Sequence, residues 1–162
     1  MITTKIATSN DTEEVRTVID CAFETVRDVY SPKPNAVPTS ENANLDTKTI
    51  VALVNEEIVG AACVYRDTAA LHVSQLAVVP KFRKRGVARA LLQAVNEVAI
   101  ECGAEQLGLN TIQETGNVAI FQRLGFAVES TTMATWCISD RFQKLHDVSM
   151  IRQCEVATDK RK

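Results

Sequence analysis

The sequence lacks the usual marks of a membrane, metal or dinucleotide protein. No apolar run approaches the roughly 20 residues that a membrane-spanning helix needs. None follows Met1-Ile2-Thr3-Thr4-Lys5 either, so no secretory signal and no membrane association are expected. Net charge is only −2 at pH 7, which leaves no general basic field for nucleic acid. The six glycines never form Gly-x-Gly-x-x-Gly, and none is followed by Lys-Ser or Lys-Thr. That excludes the dinucleotide fingerprint and the Walker loop. The five cysteines, Cys21, Cys63, Cys102, Cys137 and Cys154, are odd in number, widely spaced and without a Cys-x-x-Cys. They predict reduced thiols in a cytoplasmic protein, mostly small core residues, and no metal site. Histidine is scarce too, with only His72 and His146.

What remains is an ordinary globular composition of 162 residues, 46% hydrophobic and 23% charged. It predicts one domain over residues 1–154 and a polar tail over 155–162, ending Lys160-Arg161-Lys162. Ile2 to Ala7 reads as a strand. Val15, Val18, Ile19, Ala22, Phe23 and Val26 recur at helical spacing and predict a helix from about Thr12 to Arg27. Three prolines from Pro32 to Pro38 exclude a helix there, and a long connection is expected up to Asp46. Thr49–Val54 and Ile58–Tyr65 read as strands around a tight turn at Asn55-Glu56-Glu57, and Ala70–Val79 as a third strand of the meander. A second amphipathic helix starts near Gly86 and stops at Gly103. A strand at Gln106–Asn110, a short helix at Asn117–Leu124 and strands in Phe126–Ile138 and Val148–Arg152 complete an α+β plan with a mixed, mostly antiparallel sheet flanked by helices.

The chemistry concentrates between Leu76 and Leu92. An apolar strand enters a basic loop, Lys81-Phe82-Arg83-Lys84-Arg85-Gly86, which opens directly into the second helix. The first N–H groups of a helix lack intrahelical partners and stand at the positive end of its dipole. A phosphate can collect several of them. Gly86 removes a side chain from the approach, Ala88 keeps the next turn low, and Arg83, Lys84, Arg85 and Arg89 add positive charge.

The order of these residues resembles the GCN5-related N-acetyltransferases. Arg83-x-x-Gly86-x-Ala88 is similar to that family's Gln/Arg-x-x-Gly-x-Gly/Ala pyrophosphate loop. Leu76-Ala77-Val78-x-Pro80 is similar to the strand before it, and Ile120-Phe121-Gln122-Arg123-Leu124-Gly125-Phe126 to the family's closing Leu-Tyr-x-Lys-Leu-Gly-Phe segment. The resemblance is specific from about residue 50 to 127. It implies the family fold, with a V-shaped notch between the fourth and fifth strands, Ala70–Val79 and Gln106–Asn110. It also implies acetyl-CoA as acyl donor, with the pyrophosphate on residues Arg83, Lys84, Arg85, Gly86, Val87, Ala88 and Arg89. The thioester would then lie near Leu76, Ala77 and Val78, and an amine would attack it directly.

Three departures shape the mechanism. Phe121 stands where the family often has a tyrosine credited with protonating the leaving thiolate, and phenylalanine has no proton to give. It is expected to pack on the cofactor. Glu114 replaces a frequent asparagine, and Asn117 replaces a small residue; Asn117 either caps the short helix, contacts the cofactor, or does both. The run His72-Val73-Ser74-Gln75-Leu76-Ala77-Val78 resembles the arylalkylamine acetyltransferases, which carry histidine at both of the first two matching positions. Here only His72 is kept. His72 is therefore the candidate base, or a holder of a proton-carrying water chain, with Ser74 expected on the same strand face. The alternative is a hydrogen-bonded strand histidine. Glu114 and His146 are the next candidates. The expected acceptor is a primary amine of a small molecule. A protein N-terminus or lysine, and a non-catalytic acyl-CoA-binding module, remain open, as does a homodimer formed through an edge strand.

Overall fold

A computed structural model describes residues 1–33 and 47–155. The strands among these are β1 (Ile2–Ile6), β2 (Ser31–Pro32), β3 (Thr47–Val54), β4 (Glu57–Asp67), β5 (Ala70–Val78), β6 (Gln106–Ile112), β7 (Ala127–Met133), β8 (Cys137–Ile138) and β9 (His146–Gln153). The helices are α1 (Thr12–Glu24), α2 (Val87–Glu101) and α3 (Asn117–Arg123). The connection expected from Pro34 to Asp46 lies outside the described residues, as does the tail beyond Glu155.

Seven strands form one sheet in the order β1-β3-β4-β5-β6-β9-β7, and β2 pairs with β8 apart from it. The mixed, mostly antiparallel plan expected from the sequence is present. Only β5 and β6 run parallel, which requires a crossover, and α2 supplies it. Asn55 (φ 51) and Glu56 (φ 67) make the tight turn between β3 and β4. Positive φ at both central residues matches the right-handed twist of the flanking strands. Glu57, expected in that turn, is the first residue of β4.

Two apolar layers hold the sheet. On one face Leu91, Leu92 and Val95 of α2 pack with Ile50, Val64, Leu107 and Met150, all buried. On the other, Val18 and Ala22 of α1 pack with Val51, Ile58, Ala61 and Ala77. Each large side chain so buried stabilises the fold by roughly 1.5–3 kcal/mol. Gly60 permits close packing under α2: a Cβ there would stand 2.8 Å from Val87 Cγ1 and 3.1 Å from both Leu91 Cδ1 and the Ala77 carbonyl oxygen.

α1 ends at Glu24, three residues before the expected Arg27. Its last carbonyls are claimed from outside the helix: the Thr25 hydroxyl donates to Ala22 O at 2.9 Å, and Val26 N–H turns to Phe23 O at 3.1 Å. The cysteines also differ from expectation. All five are free thiols, but only Cys137 is buried, while Cys21 and Cys102 are exposed. Among the described residues no helix is long and apolar enough to cross a membrane.

Candidate functional site

The loop after β5 has the backbone of an anion site. Pro80–Phe82 makes one 3-10 turn, Lys84 and Gly86 take left-handed φ of 62 and 88, and α2 starts at Val87. Left-handed residues alternating with others turn successive N–H groups toward one concave side, here at the positive end of a 15-residue helix. Gly86 is required for its φ rather than for space, since a Cβ there would meet nothing nearer than Ile2 Cδ1 at 3.9 Å. Lys84, Arg85 and Arg89 are exposed around the loop, and the Arg85 guanidinium lies 5.5 Å from the Phe82 ring centroid.

Arg83 has a different place. Its Nε donates to Val78 O (3.2 Å), and its Nη2 to Ala22 O (3.1 Å) and Thr25 Oγ1 (3.3 Å). Its backbone N–H donates to Pro80 O at 3.2 Å. The guanidinium thus braces the loop against the end of α1. The side chain of Val87 is buried under the sheet and that of Ala77 against α1, so neither side chain is presented to a ligand. Leu76 and Val78 pack against the α2-side core, and Leu76 also lines the cleft described next.

Beside the loop lies a cleft of about 470 Å³ between β5 and β6. The two strands pair from Ala70↔Gln106 to Val73↔Leu109, and both run on beyond the last pair, to Val78 and Ile112. Ser74 is an extra residue in β5, because Cys63 of β4 pairs with Gln75 and Val64 with Val73. This bulge breaks the two-residue alternation from which His72 and Ser74 were expected to share a face. Both still line the cleft, and the Ser74 hydroxyl donates to Cys63 O at 3.1 Å.

His72 pairs with Tyr65 on one side and Gly108 on the other. Its ring lies 5.0 Å from the Tyr65 ring, tilted by 39°, and occupies space that Gly108 leaves, since a Cβ there would stand 3.4 Å from His72 Nδ1. Burial pushes the imidazole below the ordinary histidine value, against a weaker opposite pull from Asp67 and Asp147. A neutral ring is therefore favoured at neutral pH, as a proton acceptor must be.

α3 closes the cleft with Asn117 and Phe121. The Phe121 ring meets Phe126 edge-on at 6.0 Å and packs against the core. Asn117 does not cap the helix: Gly116 (φ 81) is the N-cap residue, and the Thr115 hydroxyl accepts the Asn117 N–H at 3.2 Å. Asn117 is the first helical residue, one position past the cap, and lines the cleft.

Asp147 and Trp136 also line the cleft, and their place there could be found only through long-range pairing. Asp147 accepts from Asn110 Nδ2 at 3.0 Å and from Trp136 Nε1 at 3.3 Å. Trp136 meets Tyr30 edge-on at 5.6 Å. Glu114 accepts the His146 N–H at 2.7 Å and pairs with His146 Nδ1 at 2.8 Å. Burial raises the Glu114 carboxyl, but the bonds from the His146 side chain and backbone outweigh it and hold the group below its ordinary value. The pair ties the turn before α3 to the start of β9. A wider mouth of about 820 Å³, bordered by Asp20 and Glu24 of α1, shares Tyr30, Ser74, Gln75 and Trp136 with the cleft.

Comparison with known proteins agrees with the fold and shows the family. Residues 13–138 match the protein-family model described as "Acetyltransferase (GNAT) domain". Over 84 residues the chain is 31% identical to N-alpha-acetyltransferase 30 of Schizosaccharomyces pombe, an alignment that covers 48% of this chain and 56% of that one. The match thus spans little more than half the length of that relative. The fold is similar to the ribosomal-protein-S18-alanine N-acetyltransferase of Escherichia coli, with a TM-score of 0.72 and 16% identity over 99% of this chain and 98% of that one. It is equally similar to the PaiA N-acetyltransferase of Thermoplasma acidophilum, solved in complex with coenzyme A, with a TM-score of 0.72 and 16% identity over 94% and 99% of the two chains.

Proposed function

Since the chain belongs to the GNAT acetyltransferase family, we propose that it moves an acetyl group from acetyl-CoA to a primary amine of a small molecule by direct attack in a ternary complex. The pyrophosphate rests on the N–H groups of residues 84–89 at the start of α2. The pantetheine arm enters between β5 and β6 where their pairing ends. The thioester carbonyl lies near Leu76 and Ala77, where a strand N–H polarises it and stabilises the tetrahedral oxyanion.

The amine must attack unprotonated. From a pKa near 10.4 this costs roughly 4–5 kcal/mol at neutral pH. His72 accepts that proton directly or through water held by Ser74. The C–N bond forms first and gives the tetrahedral oxyanion; the C–S bond then breaks, coenzyme A departs as a thiolate, and the remaining extra proton on the nitrogen passes to that thiolate or to solvent water. With Phe121 in the usual acid position no side-chain acid is needed, because a thiol of pKa near 8.5 leaves adequately at neutral pH.

The observation that carries the small-molecule reading is the shape of the acceptor side. Tyr30 and Trp136 meet across it, and their flanking segments are joined by the β2–β8 pairing and by Lys33 N–H donating to Trp136 O at 2.9 Å. An open groove for a polypeptide does not need such a wall. A protein N-terminus is the second reading, favoured by the 31% identity to a relative named as an N-alpha-acetyltransferase. The test is thiol release from acetyl-CoA with a panel of small amines and peptides. Turnover confined to peptides would move the assignment to the second reading. Acetyl-CoA binding without turnover on any acceptor would leave a binding module.

A further inference from the structure

The cleft has an anionic end that none of these steps uses. Asp147 pairs with Ile112 of β6, and Asn110, paired with Ser149, stands diagonal to it on the same sheet face. Both carboxylate oxygens are oriented by neutral donors, Asn110 Nδ2 and Trp136 Nε1. None of the ion pairs among the described residues involves Asp147. Each oxygen keeps acceptor capacity, and the rings of Trp136 and Tyr30 stand beside it. A carboxylate fixed next to aromatic rings suits an alkylammonium, which gains both the charge contact and the ring quadrupole.

That ammonium is not the reacting one. A carboxylate at the reacting nitrogen would favour its protonated, unreactive form. Nor does Asp147 stand on the strand that carries the proposed thioester site: Leu76 is on β5 and Asp147 on β9, with β6 between them. We propose that Asp147, oriented by Asn110 and Trp136, seats a second, non-reacting ammonium of the acceptor. The preferred acceptor is then a diamine whose two nitrogens are joined by an apolar chain, one nitrogen reacting and the other held at Asp147 beside the rings of Trp136 and Tyr30. This specificity rests on the small-molecule reading above and adds to it the residue that selects the substrate.

The test uses α,ω-diaminopentane against n-pentylamine, two acceptors equal in chain length that differ only in the second nitrogen. The native protein should prefer the diamine by roughly tenfold to a hundredfold in kcat/KM, carried by KM. Asp147→Asn should lose that preference: kcat/KM on the diamine should fall roughly tenfold to a hundredfold further than on n-pentylamine, whatever shared change the loss of its pull on His72 brings to both. A binding arm needs no turnover and no variant. Trp136 is the single tryptophan, so titrating the coenzyme A-bound native protein with the diamine should shift its fluorescence, and n-pentylamine should not at equal concentration. Equal use of both amines, or an equal loss on both in the variant, overturns the proposal and leaves the acetyltransferase reading standing. Turnover on peptides alone overturns the small-molecule reading, and a flat Trp136 titration then removes the ammonium seat as well.

Discussion

Arg83 and Ala22 are joined by a hydrogen bond of 3.1 Å from guanidinium to carbonyl, which couples the anion loop to the end of α1. The same guanidinium reaches Thr25 and Val78, so one side chain ties three segments. Arg83→Ala should lower stability by roughly 1–3 kcal/mol in urea unfolding and weaken acetyl-CoA binding in calorimetry. Arg83→Lys should not rescue either property, because a point ammonium cannot serve three diverging acceptors. Full rescue by lysine would mean that charge, rather than the brace, is what matters.

Gly86 separates backbone strain from ligand exclusion. Gly86→Ala places a Cβ at φ 88 with free space around it, so the expected loss is about 1–2 kcal/mol of stability from the left-handed backbone alone. Gly86→Glu should in addition abolish detectable acetyl-CoA binding by setting bulk and negative charge where the pyrophosphate is proposed to rest. Unchanged affinity in a folded Gly86→Glu protein would sink the assignment of the loop.

Phe121 is expected to pack rather than to transfer protons. Phe121→Ala should weaken acetyl-CoA binding by on the order of 2 kcal/mol or less, as contact area is lost on a half-buried ring. Phe121→Tyr should hold the turnover rate or raise it modestly. A large rate loss in the tyrosine variant with binding intact would show that the ring fills a spot where a hydroxyl clashes.

His72→Ala should lose roughly tenfold to a thousandfold in rate with acetyl-CoA affinity little changed. The rate of both proteins should rise with pH as the amine deprotonates, so their pH profiles must be compared. Stability gives a second readout. Burial lowers the folded pKa of His72, so the unfolded chain takes up a proton first as pH falls. The stability this residue contributes is full above about pH 6.5 and declines as pH drops from there through the lowered value. His72→Gln should flatten that decline in thermal or urea unfolding. A variant with native rate and profile would make the histidine structural and turn attention to Glu114 and His146.

Much of this architecture is legible in local sequence. Hydrophobic period gives α2 and its neighbours, and the positions of Gly86, Gly103 and Gly125 give the stops and starts. Non-local relations are hidden. The bulge at Ser74 depends on how β4 pairs with β5, and no residue type in the run announces it. Arg83 reads as one more loop cation until the fold places it beside α1. Asp147 and Asn110 are separated by α3, β7 and β8, so their bond becomes visible only once β9 lies beside β6. Asn117 illustrates a different limit: its type suits a cap, but Thr115 and Gly116 take that role one step earlier.

Gly60 gives the sheet a mechanical connection to the cofactor loop. The atoms nearest a methyl group at this position are Val87 Cγ1, the Ala77 carbonyl oxygen and Leu91 Cδ1, the first and last of them in the first two turns of α2. Relieving that contact by moving α2 means lifting the helix terminus whose N–H groups are proposed to hold the pyrophosphate. Position 60, buried on the far side of the helix from any ligand, is therefore a spot where thermal tolerance and cofactor affinity cannot be tuned separately. Attempts to stiffen the protein by replacing strand glycines should spare it, and a search for variants with weakened coenzyme A retention but an untouched binding surface can begin there.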